Sequence, residues 1–318
     1  MPQFKTPYRL AGRRVWVAGH LGMVGSAIAR RLAGEGCELL TATRRELDLT
    51  RQRDVDEWMA AHKPEALFLA AAKVGGIMAN ATEPAEFIHS NLSIQTNVIH
   101  AAWKTGVEKL LFLGSACIYP KEAAQPIAED ALLSGPLEPT NRWYAVAKIA
   151  GIEMCDGYRR QYGCDFISAQ PTNVYGPGDN FDPASGHVMG ALMTRAHRAK
   201  LERAPKLVVW GTGRPLREFL FVDDLADALV FLMENYSDDG HVNVGSGVEI
   251  SIADLARLIC RTVGYEGELV FDAGKPDGVA RRVLDCRRLR ALGWTPKTPF
   301  EDGLKRMYAD YLGRAGAA

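Results

Sequence analysis

In the first half of the chain, short runs of consecutive apolar residues alternate with longer stretches in which apolar positions recur every three or four residues. The run Arg14–Ala18 (Arg-Val-Trp-Val-Ala) predicts a strand, and Val24, Ile28 and Leu32 beyond it predict a helix. Further strands are expected at 38–43, at 66–72 (Ala-Leu-Phe-Leu-Ala-Ala-Ala), at Lys109–Leu113 and at 165–170. Helical patterns fill Pro84–Thr105 and 144–162. Strands that are apolar throughout are buried on both faces, and their alternation with helices argues a parallel, doubly wound sheet.

The second half is less periodic. The stretch Pro171-Thr172-Asn173-Val174-Tyr175-Gly176-Pro177-Gly178 interrupts regular structure. Beyond it the pattern predicts a helix over 188–200, strands at Lys206–Trp210 and 217–222, a helix from about 224 and another over 250–263. Asp223 and Asp224 read as caps of the helix from about 224. Residues 1–12, with Pro2 and Pro7, read as a short lead-in.

Between the first strand and its helix stands Gly19-His20-Leu21-Gly22-Met23-Val24-Gly25. In such a turn a helix N-terminus aims backbone N–H groups at a phosphate, and glycine lets the backbone approach closely. The spacing is Gly-x-x-Gly-x-x-Gly rather than the commoner Gly-x-Gly-x-x-Gly. The expected fold is therefore α/β, a Rossmann-type doubly wound parallel sheet with a smaller, discontinuous C-terminal substrate domain. Its boundaries are drawn at 13–176, with 211–242 returning to it, against 177–210 and 243–318. A fold selective for NAD places an acidic residue after the second strand; this chain has Thr43-Arg44-Arg45. Arginine there suits a 2′-phosphate, which favours NADPH/NADP+; two solvated surface arginines are the alternative. Asp48 either touches the adenine or caps the helix beginning near Arg51. Asn91 is placed to hydrogen-bond the junction between the third strand and the loop Lys73-Val74-Gly75-Gly76-Ile77.

Composition narrows the partners. The 318 residues are 47% apolar and 24% charged, with Lys+Arg and Asp+Glu equal at 38 each. That balance gives no reason to expect nucleic acid or an anionic membrane. No apolar run is long enough to cross a bilayer, and no signal peptide is evident. Six cysteines, Cys37, Cys117, Cys155, Cys164, Cys260 and Cys286, are scattered without zinc-type spacing, so no metal is expected and a reducing, cytoplasmic compartment is.

The chemistry concentrates in two places. Tyr144 and Lys148 stand four apart at the start of a helix, and so share a face. Ser115 follows the fourth strand in Gly114-Ser115-Ala116-Cys117. Reducing a ketone needs a hydride at carbon and a proton at oxygen. A nearby ammonium favours the phenolate and brings a tyrosine toward its working range, and a serine hydroxyl steadies the developing oxyanion. If the chain stays extended past Leu113, Ser115 and Cys117 face the same pocket. A thiolate there can remove a proton beside a carbonyl; a small buried hydrophobe is the alternative, and spacing alone leaves both open.

These segments, with Ala70-Ala71-Ala72-Lys73-Val74-Gly75-Gly76, Ile118-Tyr119-Pro120, Pro139-Thr140-Asn141 and Lys275-Pro276-Asp277-Gly278, resemble the GDP-L-fucose synthase family. Its members are GDP-4-keto-6-deoxy-D-mannose 3,5-epimerase/4-reductases among the extended short-chain dehydrogenases/reductases. The resemblance covers nearly the whole chain after the first dozen residues. It implies an NADPH enzyme acting twice on one GDP-sugar, with Cys117 as base and His187 as acid for inversion at C3 and C5. Ser115, Tyr144 and Lys148 would then serve the reduction. It places Pro171, Asn173, Val174, Lys148 and His187 at the cofactor beside Gly19, His20, Leu21, Gly22, Met23, Val24, Gly25, Arg44 and Asp48. It places Arg195, Trp210, Arg217 and Asp277 at the GDP-sugar, and it implies a homodimer, through helices near Pro84–Thr105 and 151–162. Where the family often has a second serine, this chain has Ala116, which is expected to point away from Ser115 and Cys117. An NAD-dependent nucleotide-sugar 4-epimerase or 4,6-dehydratase would share the glycine turn, serine, tyrosine and lysine, but would not need Cys117 with His187. A non-catalytic nucleotide-sensing module would not need Ser115, Tyr144 and Lys148 together.

Overall fold

The computed structural model describes residues 7–183, 186–275 and 277–315; Pro2 and Pro276 lie outside them. In chain order the first part comprises β1 (Arg14–Ala18), α1 (Met23–Leu32), β2 (Glu38–Leu40), α2 (Gln52–His62), β3 (Ala66–Leu69), α3 (Ile77–Thr82), α4 (Pro84–Thr105), β4 (Lys109–Leu113), α5 (Arg142–Tyr162) and β5 (Asp165–Pro171). The remainder comprises β6 (Asn173–Tyr175), α6 (Val188–Leu201), β7 (Lys206–Trp210), β8 (Leu216–Phe221), α7 (Val222–Asn235), β9 (His241–Val244), β10 (Glu249–Ser251), α8 (Ile252–Val263), β11 (Glu268–Asp272), β12 (Arg281–Arg282), α9 (Arg287–Ala291) and α10 (Phe300–Ala315).

Six strands form one parallel sheet in the order β2-β1-β3-β4-β5-β9. The alternation of side chains along each strand divides the core in two. Val15, Val17, Phe68, Leu111, Ile167 and Val242 point to the face covered by α1 and α7. Trp16, Leu67, Leu110, Phe112 and Phe166 point to the face covered by α2, α4 and α5. Both faces are sealed, which is why these strands carry no polar alternation. The chain runs from β1 out to β2 and then back past it to β3, so the winding direction reverses between β1 and β3. Helices diverge there, and the carboxyl ends of the strands open onto a crevice.

The smaller unit grows from that same end. β6 begins just after β5 leaves the large sheet, and it pairs in parallel with β8, which also pairs with β12 in parallel and β10 in antiparallel. β7 and β11 form a separate parallel pair. A third apolar core gathers Met193, Leu207, Val209, Phe219, Leu255, Ile259, Leu304 and Met307 from α6, α8, α10 and these strands.

Several boundaries differ from the sequence pattern for local reasons. β2 stops at Leu40 rather than 43, because as an edge strand it pairs with β1 over three residues only and Thr43 opens a turn closed by Glu46 N. β3 stops at Leu69 rather than 72. The helix expected over 250–263 starts at Ile252, because Ile250 pairs with Arg217 in β10 and Ser251 caps the helix by accepting from Asp254 N at 3.0 Å. α7 starts at Val222, so Asp223 and Asp224 are not caps but lie in its first turn. Asp223 pairs with Arg30 and Arg306, and Asp224 accepts from Thr298 N and Oγ1. β9 runs unbroken across the 242/243 boundary as a strand of the large sheet. The described part of the lead-in, residues 7–12, is docked on the large sheet's unit: Tyr8 N donates to Glu234 O at 2.7 Å and Leu10 is buried in the first core. Strands β6, β9, β11 and β12 and helices α3, α9 and α10 have no counterpart in the sequence pattern; β6 forms inside the stretch 171–178 expected to interrupt regular structure, because β8, far along the chain, supplies its partner. Among the described residues no helix is long and apolar enough to cross a membrane, and no group of three His, Cys, Asp or Glu could hold a metal ion.

Gly151 of α5 lies against Phe112 of β4, where an added Cβ would overlap the ring. Alanine normally raises helix stability by about 1 kcal/mol over glycine. Gly151→Ala is nevertheless expected to lose about 1–3 kcal/mol by urea unfolding, because the clash forces helix and sheet apart. A raised midpoint would show that Phe112 yields instead.

Candidate active site

The glycine-rich turn occupies the amino end of α1, directly after β1. Gly19 has φ +93, and a Cβ there would lie 2.7 Å from Ala71 N in the loop after β3. A Cβ at Gly25 would collide with Gly19 O, so the turn closes on the helix without room for side chains. Gly22 stands at the N-cap of α1 and has no side chain to offer its first N–H groups. His20 Nδ1 is buried with no partner among the described residues. Open helix N–H groups, a backbone cradle that a Cβ would fill and an unsatisfied ring nitrogen fit a dinucleotide diphosphate.

Beyond β2, Arg44 and Arg45 are exposed. The nearest acidic side chain, Glu46, folds back to accept from Thr43 N at 2.8 Å. Asp48 accepts from Thr50 N at 3.1 Å and Thr50 Oγ1 at 2.7 Å, and these bonds hold its carboxyl below the usual range. It does not cap α2, whose N-cap is Arg51 without a side-chain bond; its carboxylate instead closes a turn just ahead of that helix. Asn91, buried in α4, clasps the loop after β3: Lys73 N donates to its Oδ1 at 2.9 Å and its Nδ2 donates to Lys73 O at 3.0 Å.

At the end of β4 the backbone does not stay extended. Ser115 caps a single 3-10 turn, Ala116–Ile118, with its Oγ accepting from Cys117 N at 3.2 Å. Cys117 is thus brought beside Ser115 by a turn, not by strand alternation. Ala116 packs into the second core and its carbonyl accepts from Arg282 Nη1 at 3.2 Å. Tyr144 lies in the first turn of α5, where the Ser115 hydroxyl and Cys117 both act on its phenol. One turn on, Lys148 is buried and its Nζ donates to Leu113 O at 2.7 Å. The same ammonium sits 4.7 Å from the Phe112 ring centre and 5.9 Å from that of Tyr144. Burial pushes Lys148 down to about 7. Burial also pushes the Tyr144 phenol up, with Cys117 in the same sense and the Ser115 hydroxyl opposing. The depression expected from the neighbouring ammonium is not what this site displays, because Lys148 is itself desolvated and its proton serves Leu113 O. A phenol held protonated is a proton donor.

Three neighbours were not singled out by sequence reasoning. Gln170 of β5, fully buried, accepts from Ser115 N at 2.8 Å and fills the space over Gly114. Asn141 Nδ2 donates to Cys117 Sγ at 3.3 Å. Arg282 stands in register with Arg217 across β12 and β8, and its Nη2 is buried with no partner among the described residues. A signal for Gln170 lay in its place as a polar residue inside an apolar strand, and Asn141 stood in the Pro139-Thr140-Asn141 motif with no role read from it; nothing local marks Arg282.

The remaining expected residues come from the smaller unit and its junction. Pro171 ends β5; Asn173 Nδ2 donates to Glu218 O at 3.0 Å, and Val174 packs against the first core. His187 is exposed at the N-cap of α6 without making a side-chain cap bond, and desolvation around its ring lowers its pKa. Arg195 donates to Val208 O. Trp210 is 66% exposed, with Lys275 Nζ 5.5 Å from its ring centre. Arg217 is disfavoured as a cation by burial and then by Arg282, while Asp277 partly offsets both. Asp277 accepts from Thr212 N at 2.9 Å and Thr212 Oγ1 at 2.7 Å, stapling the turn after β7.

Residues 15–245 match the NAD dependent epimerase/dehydratase family. The chain is 57% identical over 305 residues to the GDP-L-fucose synthase of Sinorhizobium fredii, covering 96% of this chain and 97% of that one. It is 51% identical over 313 residues to the GDP-L-fucose synthase of Escherichia coli, covering 95% and 98%. Among solved structures it resembles a GDP-L-fucose synthetase from Naegleria fowleri bound to NADP, at 27% identity and a TM-score of 0.91, covering 99% and 98%.

Lys148 generates a pH signature. Its folded pKa, about 7, lies below the ordinary 10.5, so between these values the unfolded chain binds the extra proton. Stability from this group therefore rises with pH across that window and is lowest below it. In Lys148→Met, which keeps length and removes the charge, the melting temperature relative to wild type is expected to be most favourable at pH 6 and to decline toward pH 10. A pH-independent difference would place the proton elsewhere.

Proposed function

The chain belongs to the NAD dependent epimerase/dehydratase family, and on that premise we propose that it converts GDP-4-keto-6-deoxy-D-mannose to GDP-L-fucose with NADPH, by 3,5-epimerisation and then reduction of the 4-ketone. Two relatives of that name, alike to this chain over nearly its full length, support the substrate. The observation that carries the reading is the place of Cys117 at the end of β4, where its backbone N–H bonds Ser115 Oγ and its thiol acts on the Tyr144 phenol. A plain ketoreductase has no use for a thiol there.

The 4-ketone acidifies the C–H bonds on both sides of it. Cys117 takes one such proton: an S–H bond forms, the C–H bond breaks, and its electron pair passes into an enolate whose oxygen Ser115 and Tyr144 hold. His187, brought from the start of α6, returns a proton to carbon on the opposite face. The sulfur then releases its proton to solvent and His187 takes one up from it, and repetition at the second carbon completes both inversions. Bound NADPH supplies the hydride for C4. Tyr144 gives its phenolic proton to O4, and Lys148 holds the ribose side of the cofactor while anchored to Leu113 O. Loss of the ketone ends proton exchange.

For the cofactor we assign the Gly19–Gly25 turn to the diphosphate, Arg44 to the 2′-phosphate, Asp48 to the turn that carries it, and Pro171, Asn173, Val174 and His187 to the nicotinamide side. For the GDP-sugar, Arg217 and Arg195 suit the phosphates, exposed Trp210 offers a flat face, and Asp277 has lone pairs left for a sugar hydroxyl. The dinucleotide would thus lie on the large sheet and the sugar nucleotide on the smaller unit. The aromatic cluster of His100, Trp103, Tyr158 and Tyr162 across α4 and α5 supports a homodimer built on those helices, and scattered free cysteines support a reducing cytoplasm.

Product analysis by NMR in deuterated water, with substrate and NADPH, is expected to give GDP-L-fucose labelled at C3 and C5. Cys117→Ala should lower label incorporation by about 100-fold or more, and Tyr144→Phe should lower NADPH oxidation by a similar factor. Oxidation of NADPH without label would mark a simple 4-reductase, and turnover with NAD and no net oxidation a 4-epimerase. Replacing Arg44 with Ala should raise the KM for NADPH by about 10-fold while leaving that for NADH near its starting value, since one charge-assisted phosphate contact is lost; equal losses would refute the 2′-phosphate assignment.

A further inference from the structure

Asn141 occupies the N-cap of α5, a position where asparagine ordinarily turns its side-chain oxygen onto the N–H groups of the first turn. Here it makes no such bond. Its amide is swung the other way, with Nδ2 donating to Cys117 Sγ at 3.3 Å, and its Oδ1 is buried with no partner among the described residues. Ser251, at the same position of α8, caps in the ordinary manner. A cap forgone and an acceptor left buried and unsatisfied are local deficits, and such deficits gather where a site demands a particular geometry.

The rest of the contact explains the demand. The Cys117 backbone is already held, since its N–H donates to Ser115 Oγ and its residue lies within the 3-10 turn. What remains free is the side-chain torsion that aims the sulfur. The geometry points to Asn141 as the positioning residue that sets this aim: its N–H meets a sulfur lone pair and fixes the direction in which the thiol faces the substrate carbon. When the sulfur gives up its proton, the same N–H meets a full negative charge and the bond strengthens. Asn141 immediately precedes the helix that carries Tyr144 and Lys148, so base, acid and anchoring lysine are all referred to one helix start.

This inference rests on the proposed function for the role of the sulfur, though not for its orientation. Two variants separate positioning from folding, because aspartate and serine cap helices as well as asparagine does. Asn141→Asp removes the donor and sets a carboxylate against the sulfur; Asn141→Ser removes the amide. Both are expected to melt at or above the wild-type temperature. Label uptake from deuterated water into GDP-4-keto-6-deoxy-D-mannose, measured without NADPH, should fall by about 100-fold in Asn141→Asp and about 10-fold in Asn141→Ser. Site-resolved alkylation of Cys117 by iodoacetamide should slow in both, with Cys164 as the internal reference. Wild-type exchange and alkylation rates in both variants would overturn the inference, as would losses that merely track a lowered melting temperature. If the wild-type protein itself shows no exchange while alkylation slows in the variants, the functional reading fails and the orienting role of Asn141 stands.

Discussion

The hydrogen bond from Lys148 Nζ to Leu113 O, 2.7 Å long and closed to solvent, ties the start of α5 to the end of β4. A buried ammonium needs a partner, and a strand that has just left its sheet has a carbonyl to spare. That one contact sets the height of α5 against the sheet and, one turn back, the height of Tyr144 over Ser115 and Cys117. The same desolvation that pushes Lys148 down raises the Tyr144 phenol. The two groups are therefore poised by a common cause: a shared dry pocket at the carboxyl end of the sheet.

Around this anchor, ordinary rules of local structure are set aside at particular residues. Asn141 and His187 both stand at N-caps and neither caps. Gln170 is a polar residue within an apolar strand, and it accepts from Ser115 N while its own Nε2 finds no partner among the described residues. The departures at Asn141 and Gln170 leave a helix end and a buried amide less well satisfied than they could be, and both lie beside Ser115 and Cys117 at the end of β4 rather than among the apolar residues of the cores.

The smaller unit is joined to the crevice by a buried carboxylate. Glu218, fully inaccessible in β8, accepts from Gly247 N at 2.5 Å and Leu284 N at 2.9 Å, while its carbonyl accepts from Asn173 Nδ2 and Thr172 Oγ1. Burial raises its pKa and the backbone donors oppose that rise. Through these bonds the end of β5, the loop after β9 and the chain beyond β12 share one reference point. Arg217 and Arg282, side by side on β8 and β12, are the consequence: two guanidinium groups held close despite their repulsion, a cost that an anionic ligand would relieve.

By itself the sequence determined five of the six strands of the large sheet, all but β9, because strands sealed on both faces must be apolar throughout and helices between them must keep a 3.6-residue stripe; both are periodicities of neighbouring residues. It also determined the glycine turn and the Tyr144–Lys148 pair, whose meaning is local spacing. The tertiary structure decided what depends on residues far apart in the chain. The tail after β9 carries its partners on β6 to β8, so its short strands and final helix show no pattern of their own. Cys117 reached Ser115 through a turn rather than an extended strand, since Ser115 Oγ captured its N–H. Gln170 at Ser115, Asn141 at Cys117 and Arg282 beside Arg217 were brought to the crevice only when sheet, helix and smaller unit closed upon it, because a hydrogen bond between distant segments leaves no trace in the spacing of either.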